Sequence, residues 1–134
     1  MNKTFIFIIM FSSLFLSCNK ETRYYDSMEA FGQYKNNFAR LVDIRNSIPN
    51  NEIMEGATHI PEQVILAKGK KWRLFQDNIL KSKTLIITSR SLDHSKIAAK
   101  KLQKAGIDCG VTDSIETWKK LDLPVIKSSN DKAL

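Results

Sequence analysis

The sequence predicts a single α/β domain of three layers, with helices on both sides of a mostly parallel sheet. Three observations carry that prediction. Short apolar runs alternate along the chain with segments whose apolar residues recur three and four apart. The strongest run, Leu85 to Thr88, leads through a polar turn directly into an amphipathic helix. No internal repeat or long low-complexity tract breaks the order. A chain of 134 residues holds one ordinary domain with a short appendage. Its hydrophobic fraction of 43% is enough for a packed core, which argues against wholesale disorder. The formal charge of +7 favours anionic partners without naming one.

Residues 1–17 are unlike the rest. Lys3 precedes an apolar stretch from Phe5 to Leu16, interrupted by Ser12 and Ser13. The stretch is shorter than the ~20 apolar residues of a membrane-spanning helix and fits an export signal. Leu16-Ser17 followed by Cys18 resembles a bacterial lipoprotein signal, with Phe15 where leucine is usual. That resemblance implies that Cys18 receives a lipid, palmitate among its acyl chains, and becomes the mature N-terminus. It places the chain in the cell envelope, anchored to a membrane and facing outside the cytoplasm. Residues 18–26 then read as a lipid-anchored polar tether.

The domain is expected over residues 27–127, with 128–134 a loose tail. Asp26, with Glu29 three residues on, caps a helix running towards Phe38, with Met28, Phe31 and Tyr34 as its apolar side. Ala39 to Arg45 follows as an internal strand, and Asn46 to Asn51 with Pro49 is turn-forming. Glu55 to Pro61 reads as a connection. Lys71 to Ile79 is a helix with Trp72, Phe75 and Ile79 on one side. After the Leu85 strand, a helix from about Asp93 to Ala105 carries Ile97, Ala98, Leu102 and Ala105 as its stripe, and Gly106 stops it. Ile107, Cys109 and Val111 share one face of the next strand. Asp113 with Glu116 suggests a second capping box, for a helix bearing Trp118 and Leu121 that ends before Leu123-Pro124.

In this order the chain resembles a rhodanese-like domain. Leu41-Val42-Asp43-Ile44-Arg45 matches an LVDVR-like strand end. Glu52 to Pro61 keeps Gly56, Ala57, Ile60 and Pro61 of a GHIPGAxxIP-like segment, and Asp113 to Trp118 stands where a GGIxxW-like pattern falls. The functional loop of active members resembles CRxGxRS, whose cysteine carries a persulfide inside a cradle of backbone N–H groups. Here Ser89 takes the cysteine position, Arg90 the arginine, Ser91 the first variable position, Leu92 the glycine, Asp93 the second variable position, His94 the second arginine and Ser95 the serine. The resemblance therefore implies an anion-binding loop, Ser89 to Ser95, without its nucleophile.

A hydroxyl does not replace a thiolate in S–S exchange, so sulfur transfer through Ser89 is not expected. Leu92 lacks the backbone freedom of glycine, and Asp93 adds negative charge beside a loop that should attract anions. Ser89 as a hydrolase nucleophile would need an aligned base and oxyanion donors, and no GxSxG elbow is present. His59 and His94 lack a convincing third partner for a metal, and neither a phosphate loop nor a dinucleotide loop occurs, so no metal or cofactor is implied. Lys68 to Lys71 is a basic run that could meet an anionic surface or simply open a solvated helix. It lacks the interleaved aromatics of a nucleic-acid site.

Two functions stand at this point. One is a membrane-anchored, catalytically degenerate rhodanese-like domain that binds an envelope protein or a small anion. The other is an unconventional thiosulfate or persulfide sulfurtransferase in which Cys109 supplies the thiol, although a buried, inert Cys109 fits its pattern better.

Overall fold

The computed structural model describes residues 21–128, so the Cys18 expectation lies outside the described residues. In chain order the elements are β1 (Tyr24–Tyr25), α1 (Ser27–Lys35), β2 (Ala39–Asp43), β3 (Glu52–Met54), β4 (Ala57–His59), α2 (Glu62–Leu66) and α3 (Lys70–Phe75). A π-helical turn (Gln76–Leu80) follows, then β5 (Thr84–Thr88), α4 (Leu92–Lys104), β6 (Gly110–Thr112), α5 (Ile115–Lys120) and β7 (Val125–Lys127). Five strands form a parallel sheet in the order β1-β6-β5-β2-β4, and β3 pairs antiparallel with β7 in a separate ribbon.

Strand alternation divides the core in two. Leu85 and Ile87 of β5, with Val42 and Ile44 from β2 and its end, face α2, α3 and α4, where Ile65, Trp72, Phe75, Ala98 and Leu102 meet them. Ile86, Ala39 and Leu41 face the other way, onto Ala30 of α1 and Ile115 and Trp118 of α5. Covered on both faces and flanked by β6 and β2, β5 can be apolar without interruption, which is why it stands out in the sequence.

Several elements fall as expected. Asp26 caps α1 by accepting from the Glu29 amide at 2.8 Å. Gly106 ends α4 at φ +84°, the Gly106 amide bonding to the Gln103 carbonyl and the Ile107 amide to the Leu102 carbonyl. That paired closure suits a residue without a Cβ. Cys109 is buried with Val111, against Ile107, just before β6 begins.

Others differ. Tyr24 and Tyr25, read as tether, form the edge strand β1 beside β6. The expected connection after Glu55 contains β4, which pairs with β2 in register from Leu41–Ala57 to Asp43–His59. α1 stops at Lys35, because Asn37 turns to φ 63° before β2. Met28 is 56% exposed and Ile97 57% exposed; Ala105 is exposed too, and α4 instead buries Ser95, Ala98, Ala99 and Leu102. Leu121 is also exposed, while Trp118 is buried and donates from its indole to the Pro124 carbonyl. The basic run is exposed, Lys70 and Lys71 opening α3. Among the described residues no helix is long and apolar enough to cross a membrane.

Candidate functional site

Three parallel strands, β2, β5 and β6, deliver their C-terminal ends side by side. Two of those ends are locked before the loops begin. Asp43 is 1% exposed and accepts from Arg45 Nη2 at 2.6 Å and from Nε at 3.0 Å, while Arg45 also donates to the Glu52 carbonyl. The fork satisfies a carboxylate that would otherwise be buried unpaired. His59 Nε2 lies 2.5 Å from the Arg45 carbonyl; since a carbonyl only accepts, that nitrogen carries the proton. His59 is thus bound into the strand end.

Asp113, expected as a helix cap, does something else. Its carboxylate accepts from Tyr24 Oη at 2.8 Å and from the Ser27 amide and hydroxyl at 3.0 and 2.8 Å. Its carbonyl accepts from Thr88 Oγ1 at 2.7 Å. Ser114 takes the cap position of α5 without a side-chain hydrogen bond. Asp113 therefore ties the edge strand, α1 and the end of β5 together. The hydrogen bond to Asp113, with some burial, pushes the Tyr24 phenol up to about 12.

The loop from β5 to α4 is built on this frame. Ser91 caps α4, which begins at Leu92, one residue before the Asp93 start expected from sequence; the Ser91 hydroxyl accepts from the His94 amide at 3.1 Å. Ser95, fully buried, donates from its hydroxyl to the Ser91 carbonyl at 3.2 Å. Leu92 packs against the core beneath α4. Arg90 and Asp93 are exposed. Ser89, 2% exposed, lies beside His94, with Oγ and Nδ1 2.6 Å apart. Both residues belong to the loop expected from sequence, but the contact between them was not expected. They stand five apart across a strand end, a loop and a helical turn, and neither helical nor strand spacing pairs them.

The amides of Arg90, Ser91, Leu92 and Asp93 have no hydrogen-bond partner among the described residues. They belong to the loop and first turn of a 13-residue helix, where free N–H groups and the helix dipole favour negative charge. With the exposed, positively charged Arg90 in the same loop, the arrangement suits a small oxyanion. Among the described residues no group of three or more His, Cys, Asp or Glu is placed to hold a metal ion.

Cys109 lies elsewhere. Ile86 of β5 pairs with Gly110, so Cys109 stands level with Leu85, four residues before Ser89. At 3.3 Å per residue that is ~13 Å along the strand, towards the opposite end of the sheet. The thiol lines a cleft there with Arg23, Tyr25, Lys83 and Gln103. Burial, reinforced by Asp108, pushes it up to about 12.

No protein-family model matches the chain, and no curated protein matches it in sequence. Solved structures do match in shape. A rhodanese-related protein from Thermoplasma volcanium, 16% identical, superposes with a TM-score of 0.60 over 78% of this chain and 97% of that one. A rhodanese-like domain from Anabaena sp., 14% identical, gives 0.59 over 85% and 92%. A Rhodopseudomonas palustris protein of unknown function, described as a possible tyrosine phosphatase, gives 0.63 at 16% identity over 78% and 85%. At these identities the likeness bears on the fold, which for this chain is rhodanese-like, α/β with a parallel central sheet.

Proposed function

Starting from a rhodanese-like fold, we propose that the chain is a binding domain without sulfur-transfer activity, which holds a small oxyanion, or an anionic group of an envelope protein, at the β5–α4 loop. The observation that carries this reading is Ser89. It occupies the loop position at which the resemblance calls for a sulfur nucleophile, and its hydroxyl is engaged with His94. A hydroxyl cannot form or pass on a persulfide. The unpartnered amides from Arg90 to Asp93 support retained anion binding.

Cys109 does not rescue the chemistry. It is 5% exposed, about four strand residues from the loop, and its raised pKa leaves almost no thiolate near neutral pH. We propose further, from the lipoprotein-like N-terminus, that lipid on Cys18 holds the domain at a membrane, outside the cytoplasm.

Thiosulfate:cyanide sulfur transfer by the full-length protein tests the reading, beside Ser89→Cys and Cys109→Ser. The expected result is no turnover by the wild type, with Ser89→Cys showing whether the cradle lacks only its nucleophile. Wild-type turnover that disappears in Cys109→Ser would overturn the proposal. Membrane association lost in Cys18→Ser tests the anchor separately.

A further inference from the structure

Parallel strands share a direction, so one end of the sheet collects the places where strands begin, opposite the β5–α4 loop. Phe38 stands there, immediately before β2, and is 63% exposed. Its carbonyl accepts from the Thr84 amide at 2.9 Å, which sets the segment Lys81-Ser82-Lys83 beside it. Asn37 at φ 63° and Ser82 at φ 57° turn the chain on either side of this contact. Arg40 ties the two turns together, donating from Nη1 to Asn37 Oδ1 at 2.9 Å and from Nε to the Ile79 carbonyl at 3.3 Å. Lys104 is exposed at the end of α4, next to Gln103, which lines one cleft with Lys83. Lys81, Lys83 and Lys104 form no ion pair among the described residues.

One exposed aromatic says little by itself. The second observation is where the chain enters. Glu21, the first described residue, lines the same cleft as Lys83 and Thr84, so it lies at this end of the sheet. Cys18 is three residues before it, and three residues reach at most ~11 Å even when fully extended. From Thr84 to Ser89 the chain runs five residues along β5, or ~17 Å. A lipid on Cys18 therefore brings the bilayer to the end where strands begin, and either that end or the β1 edge then faces the lipid. Phe38 separates the two poses. It precedes β2, three strand spacings or ~14 Å from β1, and meets the bilayer only when the sheet stands upright on this end.

We propose that this end of the sheet is a membrane foot: Phe38 enters the interface of an anionic bilayer, Lys81, Lys83 and Lys104 meet its headgroups, and the β5–α4 loop is held on the side away from the membrane. The inference rests on the Cys18 anchor proposed above and assigns the orientation that the anchor alone leaves open. An aromatic ring beside lysines suits an interface, where apolar surface sits at the acyl boundary and ammonium groups lie among the phosphates. The acids at this end are Glu21 and Asp108 towards β1 and β6, Glu55, which pairs with Lys35, and Asp77 in the π-helical turn. Lys81 and Lys83 are the cations left over beside Phe38.

Tryptophan reporters in the full-length protein, expressed in bacteria and reconstituted into vesicles of phosphatidylglycerol and phosphatidylcholine, test the foot. Trp72 and Trp118 are buried, out of reach of a quencher carried on lipid. With brominated acyl chains, Phe38→Trp should lose roughly half of its added emission, and Arg90→Trp, at the opposite end, almost none. The Phe38→Trp loss should fall about twofold or more when Lys81→Glu and Lys83→Glu are added, and likewise in phosphatidylcholine alone. Circular dichroism checks each fold. In protein that carries its lipid, an unquenched Phe38→Trp would overturn the foot, leave the anchor standing and give this end to a second copy or a partner protein. Equal quenching of Arg90→Trp, or a Phe38→Trp loss unchanged by the two lysine substitutions, would overturn the foot as well. No lipid on Cys18 by intact mass would overturn both anchor and foot.

Discussion

Ser91 Oγ accepts from the His94 amide at 3.1 Å, so the residue that caps α4 also fixes where the Ser89 partner sits. Helix start and site geometry are one feature. Ser91→Ala should lower stability by about 1 kcal/mol, the ordinary worth of a serine cap. In urea unfolding this appears as a lower midpoint with unchanged slope. The same change should weaken sulfate binding, since His94 would no longer be held by its own amide. Ser91→Asp, which can still cap, should restore the stability. It would also place a carboxylate among the loop amides, and so should not restore the binding.

Asp113 predicts a second pair of effects. Its carboxylate receives three hydrogen bonds from β1 and α1, and hydrogen bonds to a charged acceptor contribute about 1.5–3 kcal/mol each where they are sheltered. Two of the three are only part-buried and one is exposed, so Asp113→Ala should cost nearer 2–3 kcal/mol in total. The phenol gives a cleaner readout. With the Tyr24 pKa raised from 10.0 to about 12, the fold favours the protonated phenol. That contribution is fully present below pH 10 and is lost as pH rises towards 12. Ultraviolet titration should show a tyrosine ionising near 12 in the wild type, absent in Tyr24→Phe and moved down in Asp113→Asn. A Tyr24 midpoint unchanged by Asp113→Asn would show that the carboxylate is not its cause.

The legible parts of this fold are those whose signal is long enough to repeat. β5 and α4 could be read because β5 is buried on both faces and α4 runs 13 residues, and Asp26 and Gly106 because their caps are local. β1 has two residues and β3 and β4 three each, too few for alternation to show, and α2 is barely more than one turn. They exist because long-range pairing holds them, as β4 is held by β2. Met28 and Ile97 mislead for another reason: apolar content does not say which side of a helix meets the sheet, and many apolar side chains remain exposed in any fold. In the site, the residue identities were legible and their contacts were not. Asp113 had the spacing of a cap, and only the position of β1 beside β6 turns it into an acceptor for Tyr24 and Ser27.

Cys109 should behave as an unreactive thiol. Burial and Asp108 raise its pKa from 9.0 to about 12, so the protonated form dominates up to pH 9 and beyond. Alkylation with iodoacetamide, mapped by peptide mass spectrometry so that Cys18 is scored apart, should leave Cys109 unmodified at pH 7 and change little at pH 9. Full modification should require denaturant. Rapid native alkylation at Cys109 would contradict its burial and reopen the case for a sulfur role.

Gly56 supplies the last test, and it concerns how β4 is held at the sheet edge. Gly56 turns the chain from β3 into β4 at φ +80°, and a Cβ added there would lie 2.2 Å from the Tyr34 ring of α1. Two penalties therefore coincide: a left-handed backbone that disfavours a side chain, and an aromatic ring occupying its space. Gly56→Ala should destabilise by about 2–4 kcal/mol, combining ~1 kcal/mol or more of backbone strain with 1–3 kcal/mol of overpacking. The double variant Gly56→Ala/Tyr34→Ala separates them. If the ring is the larger obstacle, the loss on adding Gly56→Ala to Tyr34→Ala should shrink to about the backbone part. If that loss is unchanged, Tyr34 yields easily and the positive φ alone makes glycine necessary.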